Sequence, residues 1–439
     1  MQLPESESPG FRDRPLLRYV AVAALATSYL VTWPLWQVRS ALSQLPPNLP
    51  GFDFLPQLDV GPLMLATLAI VLWRPWLGIT MHTVALLVAI GLDQMRIQPE
   101  FISLVILLWG SLASRTAVLL CRTHLIAMWF YAGLHKLLSA DFLAGRGQQM
   151  WQAFVPSLPD SAAMVGAISI AVLEMVLAVL VVIRRTRRVA TWMACGLHLC
   201  ILLGLVSRNW NHAVWAWNVA IALGAPLLLL GWREGFASSV LQRPRWARAA
   251  VAVLLLSPLA FYVGRLDAYL AHCLYSSNTP VATLEGHKLS LNRETMDQLG
   301  VPFPPAHRLY EQYFAIKAEP DARLHIRDPR AWAKWRALHD RTLARGGEYR
   351  RGQKFGHWKQ WHESGGLSDE GDYFEGEMHG PWTHWSADGR IEGRGGYIKG
   401  EMHGKWEMFE KDGSSVHITY INGKKISPQP EISPAPLDD

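Results

Sequence analysis

Up to about Leu266 the apolar residues of this chain run in long blocks, and beyond it they give way to short runs broken by glycine and charge. The blocks recur at about 16–37, 60–73, 75–93, 101–114, 117–137, 161–183, 189–206, 212–231 and 249–266. Segments that are apolar all round, rather than along one stripe, face lipid or a fully buried core. Several fall short of the roughly 20 residues that a full crossing needs, so their ends are loosely set. The pattern predicts a multi-pass α-helical membrane domain of about nine segments over 16–266, behind a short N-terminus at 1–15.

Charge then suggests an orientation. Arg184, Arg185, Arg187 and Arg188, the arginines between Arg233 and Arg248, Arg74 and the N-terminal arginines all flank apolar blocks, as cytoplasmic anchors do. Nine passes satisfy all of them with the N-terminus inside and everything after Leu266 outside. Arg12, Arg14 and Arg18 before the first block have the charge order of a signal peptide, but the block is long and lacks a small-residue cleavage site, which predicts a retained span.

Residues 267–343 predict a small extracytoplasmic α/β unit. Ala282–Leu284 and Leu324–Ile326 read as strands, Pro305–Lys317 and Ala331–Leu343 as helices, and Arg308, Arg327 and Arg330 as solvated charges. From 345 to 425 the chain repeats. Tyr349, Gly352, Phe355, Gly356, Trp358, Trp361 and Gly365 recur as Tyr373, Gly376, His379, Gly380, Trp382, Trp385 and Gly389, then as Tyr397, Gly400, His403, Gly404, Trp406, Phe409 and Gly413. Tyr420 to Gly423 begin a last half unit, and the tyrosines step by 24, 24 and 23 residues. Glycine turns between short aromatic runs predict a stack of β-hairpins. The pattern resembles MORN repeats of bacterial antitoxin-type proteins, which implies a surface for a protein partner at 345–425. His379 and His403 occupy equivalent repeat positions, which favours a structural role over metal binding. The Pro-rich, acid-ended tail at 426–439 reads as disordered.

Composition changes little in this picture. A mean hydropathy of +0.10 averages two unlike halves, and the net charge of +6 follows from loop arginines rather than from a nucleic-acid surface. Four cysteines, Cys121, Cys195, Cys200 and Cys273, give neither a disulfide framework nor a zinc spacing, and no metal site is predicted.

The candidate chemistry lies at block ends. Lys136 is the only lysine in the first 287 residues, at the end of the apolar run Trp129-Phe-Tyr-Ala-Gly-Leu-His-Lys136. A lysine removed from water can act as a base where arginine cannot, although a lysine near a helix end also serves as an interfacial anchor. Asp93, Gln94, Arg96 and Gln98 end the third block, and Asn211, Trp215 and Asn218 open the eighth, so with Lys136 they fall on the predicted extracytoplasmic side. Glu174, the only acid between Asp160 and Glu234, and His198 lie deeper. Such intramembrane groups are functional candidates with a partner on a neighbouring helix, or bond to each other as glue between helices. Asp93 and Arg96 are spaced for an i to i+3 ion pair, and Asn211, Trp215 and Asn218 for one helical face.

The Tyr131-Ala-Gly133-Leu-His135-Lys136-Leu stretch resembles the Ala-Gly-x-x-Lys-Leu signature of the vitamin K-dependent γ-carboxylase-like superfamily, the horizontally transferred transmembrane domain. The Asp93-Gln94-x-Arg96-x-Gln98-Pro99 stretch, and His198 followed by Asn211 to Asn218, are similar to motifs of its uncharacterised bacterial branch. The resemblance covers residues 15–265 and implies that Lys136 is a base on a reduced quinone. It does not imply glutamate carboxylation, because the large lumenal part is absent and His135 stands where the animal enzymes carry a second lysine. Two readings follow. One is a membrane enzyme with Lys136, His198 and Glu174 as catalytic groups on a quinone-like or lipid substrate, bound by Asp93, Gln94, Arg96, Tyr131, His135, Asn211, Trp215 and Asn218. The other is a membrane-anchored scaffold presenting the repeats outside the cytoplasm. A transporter fits less well, because no inverted repeat is evident.

Overall fold

The structure, a computed structural model, describes residues 14–38, 48–49, 52, 56, 58–284, 291–317, 323–330, 341–344, 348–350, 353–362 and 366–426. The chain divides into two compact units. The first comprises 1–281, 288–309 and 327–339, and the second 282–287, 310–326 and 340–439.

Helices fill the apolar blocks of the first unit. They are α1 (Pro15–Val31), α2 (Gly61–Trp73), α3 (Pro75–Leu92), α4 (Pro99–Gly110), α5 (Arg115–Leu137), the short α6 (Gly147–Gln152), α7 (Asp160–Val182), α8 (Arg187–Val206), α9 (Trp215–Leu229), the short α10 (Phe236–Leu241) and α11 (Arg245–Leu256). The 3-10 turns His212–Val214 and Ser257–Val263 extend α9 and α11. Proline in the first turn starts α1 to α4, where its missing N–H leaves no bond unmade. Not all these helices can cross a bilayer. Among the described residues six are long and apolar enough: α3, α5, α7, α8, and α9 and α11 with their extensions. α1, α2 and α4 are shorter. At about 1.5 Å per residue α4 reaches roughly 18 Å, against a hydrocarbon core of about 30 Å. Among the described residues the nine expected segments are thus six helices of crossing length and three shorter apolar ones, and Pro75 and Pro99 mark where the apolar blocks are divided.

α5 is the hub. Of its membrane-length window 78 % is buried, against 28–61 % for the other five, so it is enclosed by helices where they face outward. It packs against α7, α4 and α11, while α8 pairs with α9 and α2 with α3. Arg187, read as a topology marker, is a tether, and so is Arg122 within α5. Arg187 donates to the carbonyls of Val181, Val182, Trp232 and Glu234, and Arg122 to that of Leu228, satisfying carbonyls at the ends of α7 and α9. Both guanidiniums stack on Trp232, at 3.7 and 4.5 Å from its ring centre. α12 (Leu291–Leu299) also belongs to this unit, and α13 (His307–Lys317) begins in it.

The second unit carries two sheets. β1 (Val281–Leu284), β2 (Arg323–Arg327) and β3 (Arg341–Ala344) form one, in that order. The expected helix at Ala331–Leu343 ends as strand β3, and its first ten residues lie outside the described ones. The other sheet has eight strands in chain order: β4 (Glu348–Arg350), β5 (Gln353–Trp361), β6 (Leu367–Phe374), β7 (Glu377–Trp385), β8 (Ile391–Ile398), β9 (Glu401–Phe409), β10 (Ser415–Ile421) and β11 (Lys424–Ile426). Each neighbouring pair from β4 to β11 is antiparallel. The repeat period is therefore one hairpin. Its tight turns at Glu375–Gly376, Lys399–Gly400 and Asn422–Gly423 place both central residues at positive φ, the geometry that matches strand twist and selects glycine second. Trp358, Tyr373, Trp382, Tyr397, Trp406 and Tyr420 meet edge to face across successive strands, with ring centres 5.0–6.4 Å apart. Gly371 and Gly395 lie beneath two of these rings. A Cβ on Gly395 would sit 2.2 Å from Trp406 Cδ2. Gly352, Gly365 and the tail beyond Ile426 lie outside the described residues.

Candidate functional site

Lys136 stands in the last turn of α5, one turn after Gly133. The missing side chain at Gly133 is what lets α7 approach, since a Cβ there would lie 2.4 Å from the Ala171 carbonyl oxygen and 2.8 Å from Met175 Cγ. Glu174 comes within reach as a result. Lys136 Nζ donates to Glu174 Oε2 at 2.7 Å and Oε1 at 2.9 Å, with the Ala132 carbonyl at 3.4 Å. Both side chains are only 6 % exposed. Three protein oxygens thus lie within hydrogen-bond reach of Nζ, as many as an ammonium has protons to give.

His198 does not bond to Glu174. Its Nε2 lies 2.9 Å from Trp129 Nε1, and because an indole only donates, that ring nitrogen is the unprotonated one. Nδ1 then donates to Asn218 Oδ1 at 2.9 Å, and Asn218 Nδ2 donates to the Val214 carbonyl at 2.9 Å. His135 is held on both sides as well. Its Nε2 donates to the Ala271 carbonyl at 2.8 Å, which leaves Nδ1 to accept from the Tyr262 hydroxyl at 2.7 Å. Tyr131 donates its hydroxyl to the Leu255 carbonyl at 2.6 Å.

The polar groups at the ends of α3, α5 and α9 meet a segment that the sequence reading assigned elsewhere. Arg308, at the start of α13, donates to Gln94 Oε1 at 3.2 Å and grips both Asp267 oxygens at 2.5 and 2.6 Å. Ala271 receives His135, and the Tyr275 hydroxyl accepts from Asn211 Nδ2 at 2.8 Å. Asp267, Ala271 and Tyr275, four residues apart, thus tie three helix ends together. Asp267 is the first acid after the last apolar block, whereas Ala271 acts through its backbone carbonyl and leaves no signal in the sequence.

The other candidates serve local structure. Asp93 accepts from the Met95 N–H at 2.9 Å, and buried Arg96 donates to the carbonyls of Leu35 and Ala89 and lies over Trp36. Asn211 sits in a left-handed conformation (φ 48°) ahead of α9, so the spacing of Asn211, Trp215 and Asn218 is not one helical face. Trp215 instead donates to the Trp210 carbonyl at 2.9 Å and packs on His212. Arg308 and Arg330, read as solvated, are tethers, and Arg327 pairs with Asp141 at 2.5 Å. Arg330 joins Asp328 to the Phe261 carbonyl, and His307 donates to Asp328 at 2.9 Å. Burial alone would raise the Asp328 carboxyl, but the bonds from His307 and Arg330 outweigh it and hold its pKa at about 2. Glu100, in the first turn of α4, was missed because it stands at the edge of an apolar block. It is 1 % exposed, and its Oε1 meets no hydrogen-bond donor among the described residues. Among the described residues no three metal-ligating side chains gather, and the four cysteines are free.

A bundle of apolar helices around a buried ion pair, with six of crossing length, defines a multi-pass membrane protein. Residues 114–215, which hold α5, α7, α8 and both members of the pair, match the family model described as methylamine utilisation protein MauE. No curated protein and no solved structure matches the chain. The comparisons correct two resemblances. The Ala-Gly-x-x-Lys-Leu stretch lies inside the MauE match, and no γ-carboxylase-like family matches, so neither that kinship nor a quinone-directed base is supported. Packing accounts for the motif, because Gly133 admits α7 and Lys136 binds Glu174 on it. No MORN family matches the repeats either, and the turn glycines and aromatic ladder are what a β-meander of this period needs.

Proposed function

We propose that the chain is a membrane-anchored scaffold, in which the helical unit is locked by Lys136 and Glu174 and the repeat sheet of 345–425 contacts a protein partner outside the cytoplasm. One observation carries this reading. Lys136, Glu174, His135 and His198 all commit their polar atoms to protein partners, whereas a general base needs a lone pair within reach of its substrate. The family name attaches to residues 114–215 alone and supplies a membrane core, not a substrate. Exposed Phe374, Ile398 and Ile421, each just ahead of a tight turn, support a contact surface on the sheet. The arginines at 184–188 and 233–248, at the connections between α7 and α8 and between α9 and α11, support a cytoplasmic placement of both connections, so that α11 leads outside, where the sheet follows in the chain.

The test is complementation of a deletion strain by the double variant Lys136→Met/Glu174→Leu and by a chain ending at Ala344. The scaffold reading expects the double variant to complement when its level is normal, and the truncated chain to fail. A stable double variant that does not complement would overturn it in favour of chemistry at the pair. Reporter fusions at 145 and 345 should both signal outside the cytoplasm, and a cytoplasmic signal at 345 removes the proposed placement of the sheet.

A further inference from the structure

α3 and α4 follow each other in the chain but diverge, because α3 pairs with α2 and α4 packs on α1 and α5. The cleft between them has a volume of about 590 Å³, within the usual range for small-molecule sites, and reaches neither Lys136 nor Glu174. Its walls are apolar and include Ile90, Leu87, Ile102 and Ile106. Leu87 is 62 % exposed on a helix of crossing length, so the cleft opens where acyl chains lie. One end is closed by the hydrogen bond from Trp109 Nε1 to Thr83 Oγ1 at 3.0 Å. The other end is charged and carries Arg265, Asp267 and Arg308. The charge there is unbalanced. Arg308 is matched by Asp267, while the exposed Arg265 side chain has no hydrogen-bond or ion-pair partner among the described residues. From Thr83 to Ile90 the wall runs about 10 Å, at 1.5 Å per residue.

An apolar slot opening to the bilayer, blind at one end and bearing one uncompensated guanidinium at the other, matches an amphiphile with a negative head. We propose that this cleft binds an anionic phospholipid, with one acyl chain between α3 and α4 and the phosphate on Arg265. A guanidinium holds a phosphate through paired, charge-assisted hydrogen bonds, and basic pockets at the ends of membrane helices select anionic headgroups.

The full chain is reconstituted in vesicles of equal phosphatidylcholine and phosphatidylglycerol, extracted in mild detergent, and its co-purified lipid is measured by mass spectrometry. Phosphatidylglycerol is expected in clear excess over its vesicle share. Arg265→Gln, an exposed position that should not disturb folding, is expected to cut that excess about tenfold, the loss of one charge-assisted bond. Ile106→Trp, which fills the cleft, should remove the phosphatidylglycerol excess while the protein still elutes as a single folded species in size-exclusion chromatography. Retention of the two lipids in their vesicle ratio overturns the proposal and leaves an unselective annulus, and an Arg265→Gln protein with the parental excess overturns it by placing the selectivity elsewhere.

Discussion

Lys136 Nζ lies 2.7 Å from Glu174 Oε2, across 38 residues of sequence and inside the helical bundle. Lys136→Met would leave that carboxylate without its cation, and removal of one partner of a buried pair costs about 3–5 kcal/mol. The single variant should unfold at a markedly lower temperature in detergent, and Lys136→Met/Glu174→Leu should recover most of the loss. Additive losses in the double variant would show that the two residues stabilise the bundle separately.

Gly133 is expected to be as demanding as the pair it serves. Gly133→Val places two further methyl groups where a Cβ alone would already meet the Ala171 backbone at 2.4 Å. Because backbone cannot swing aside, α7 must retreat, at a cost of about 1–3 kcal/mol or more. Size-exclusion chromatography and thermal unfolding should show a destabilised protein, while Gly196→Val, where nothing lies within 4 Å of the added Cβ, should behave like the parent.

In the repeat sheet, Gly395→Ala drives a methyl group into the Trp406 ring, 2.2 Å away. The ladder from Trp382 through Tyr397 to Trp406 should loosen, with a loss of about 1–3 kcal/mol. Near-ultraviolet circular dichroism of the full chain should lose aromatic signal. An unchanged spectrum would mean that the rings are not packed on the glycine face.

Acid should weaken the first unit through Asp328. Its carboxyl is held at about 2, below its ordinary value of 3.8, by His307 and Arg330. A depressed carboxyl stabilises the fold above its unfolded pKa and loses that contribution as pH falls through the folded value. About 2 kcal/mol should therefore vanish between about pH 4 and pH 2, from 1.36 kcal/mol per unit. Unfolding temperatures of the parent and Asp328→Asn should differ at pH 6 and converge at pH 2.

Much of this protein is written locally. Apolar blocks and prolines determined where the helices lie, since burial of a continuous apolar run and a blocked N–H act over a single turn. The 24-residue period determined the meander, because each hairpin needs its own turn glycines and each strand its own ring for the ladder. Which residues meet was decided only in three dimensions. Nothing near Lys136 in the sequence indicates that Glu174, rather than His198, receives it; that depends on the close approach of α7 at Gly133. The tethers Asp267, Ala271 and Tyr275 escaped notice for the same reason, since their partners Arg308, His135 and Asn211 lie 41, 136 and 64 residues away. Hydrophobic periodicity records what each element buries, whereas hydrogen bonds between elements depend on how closely and at what angle the elements pack.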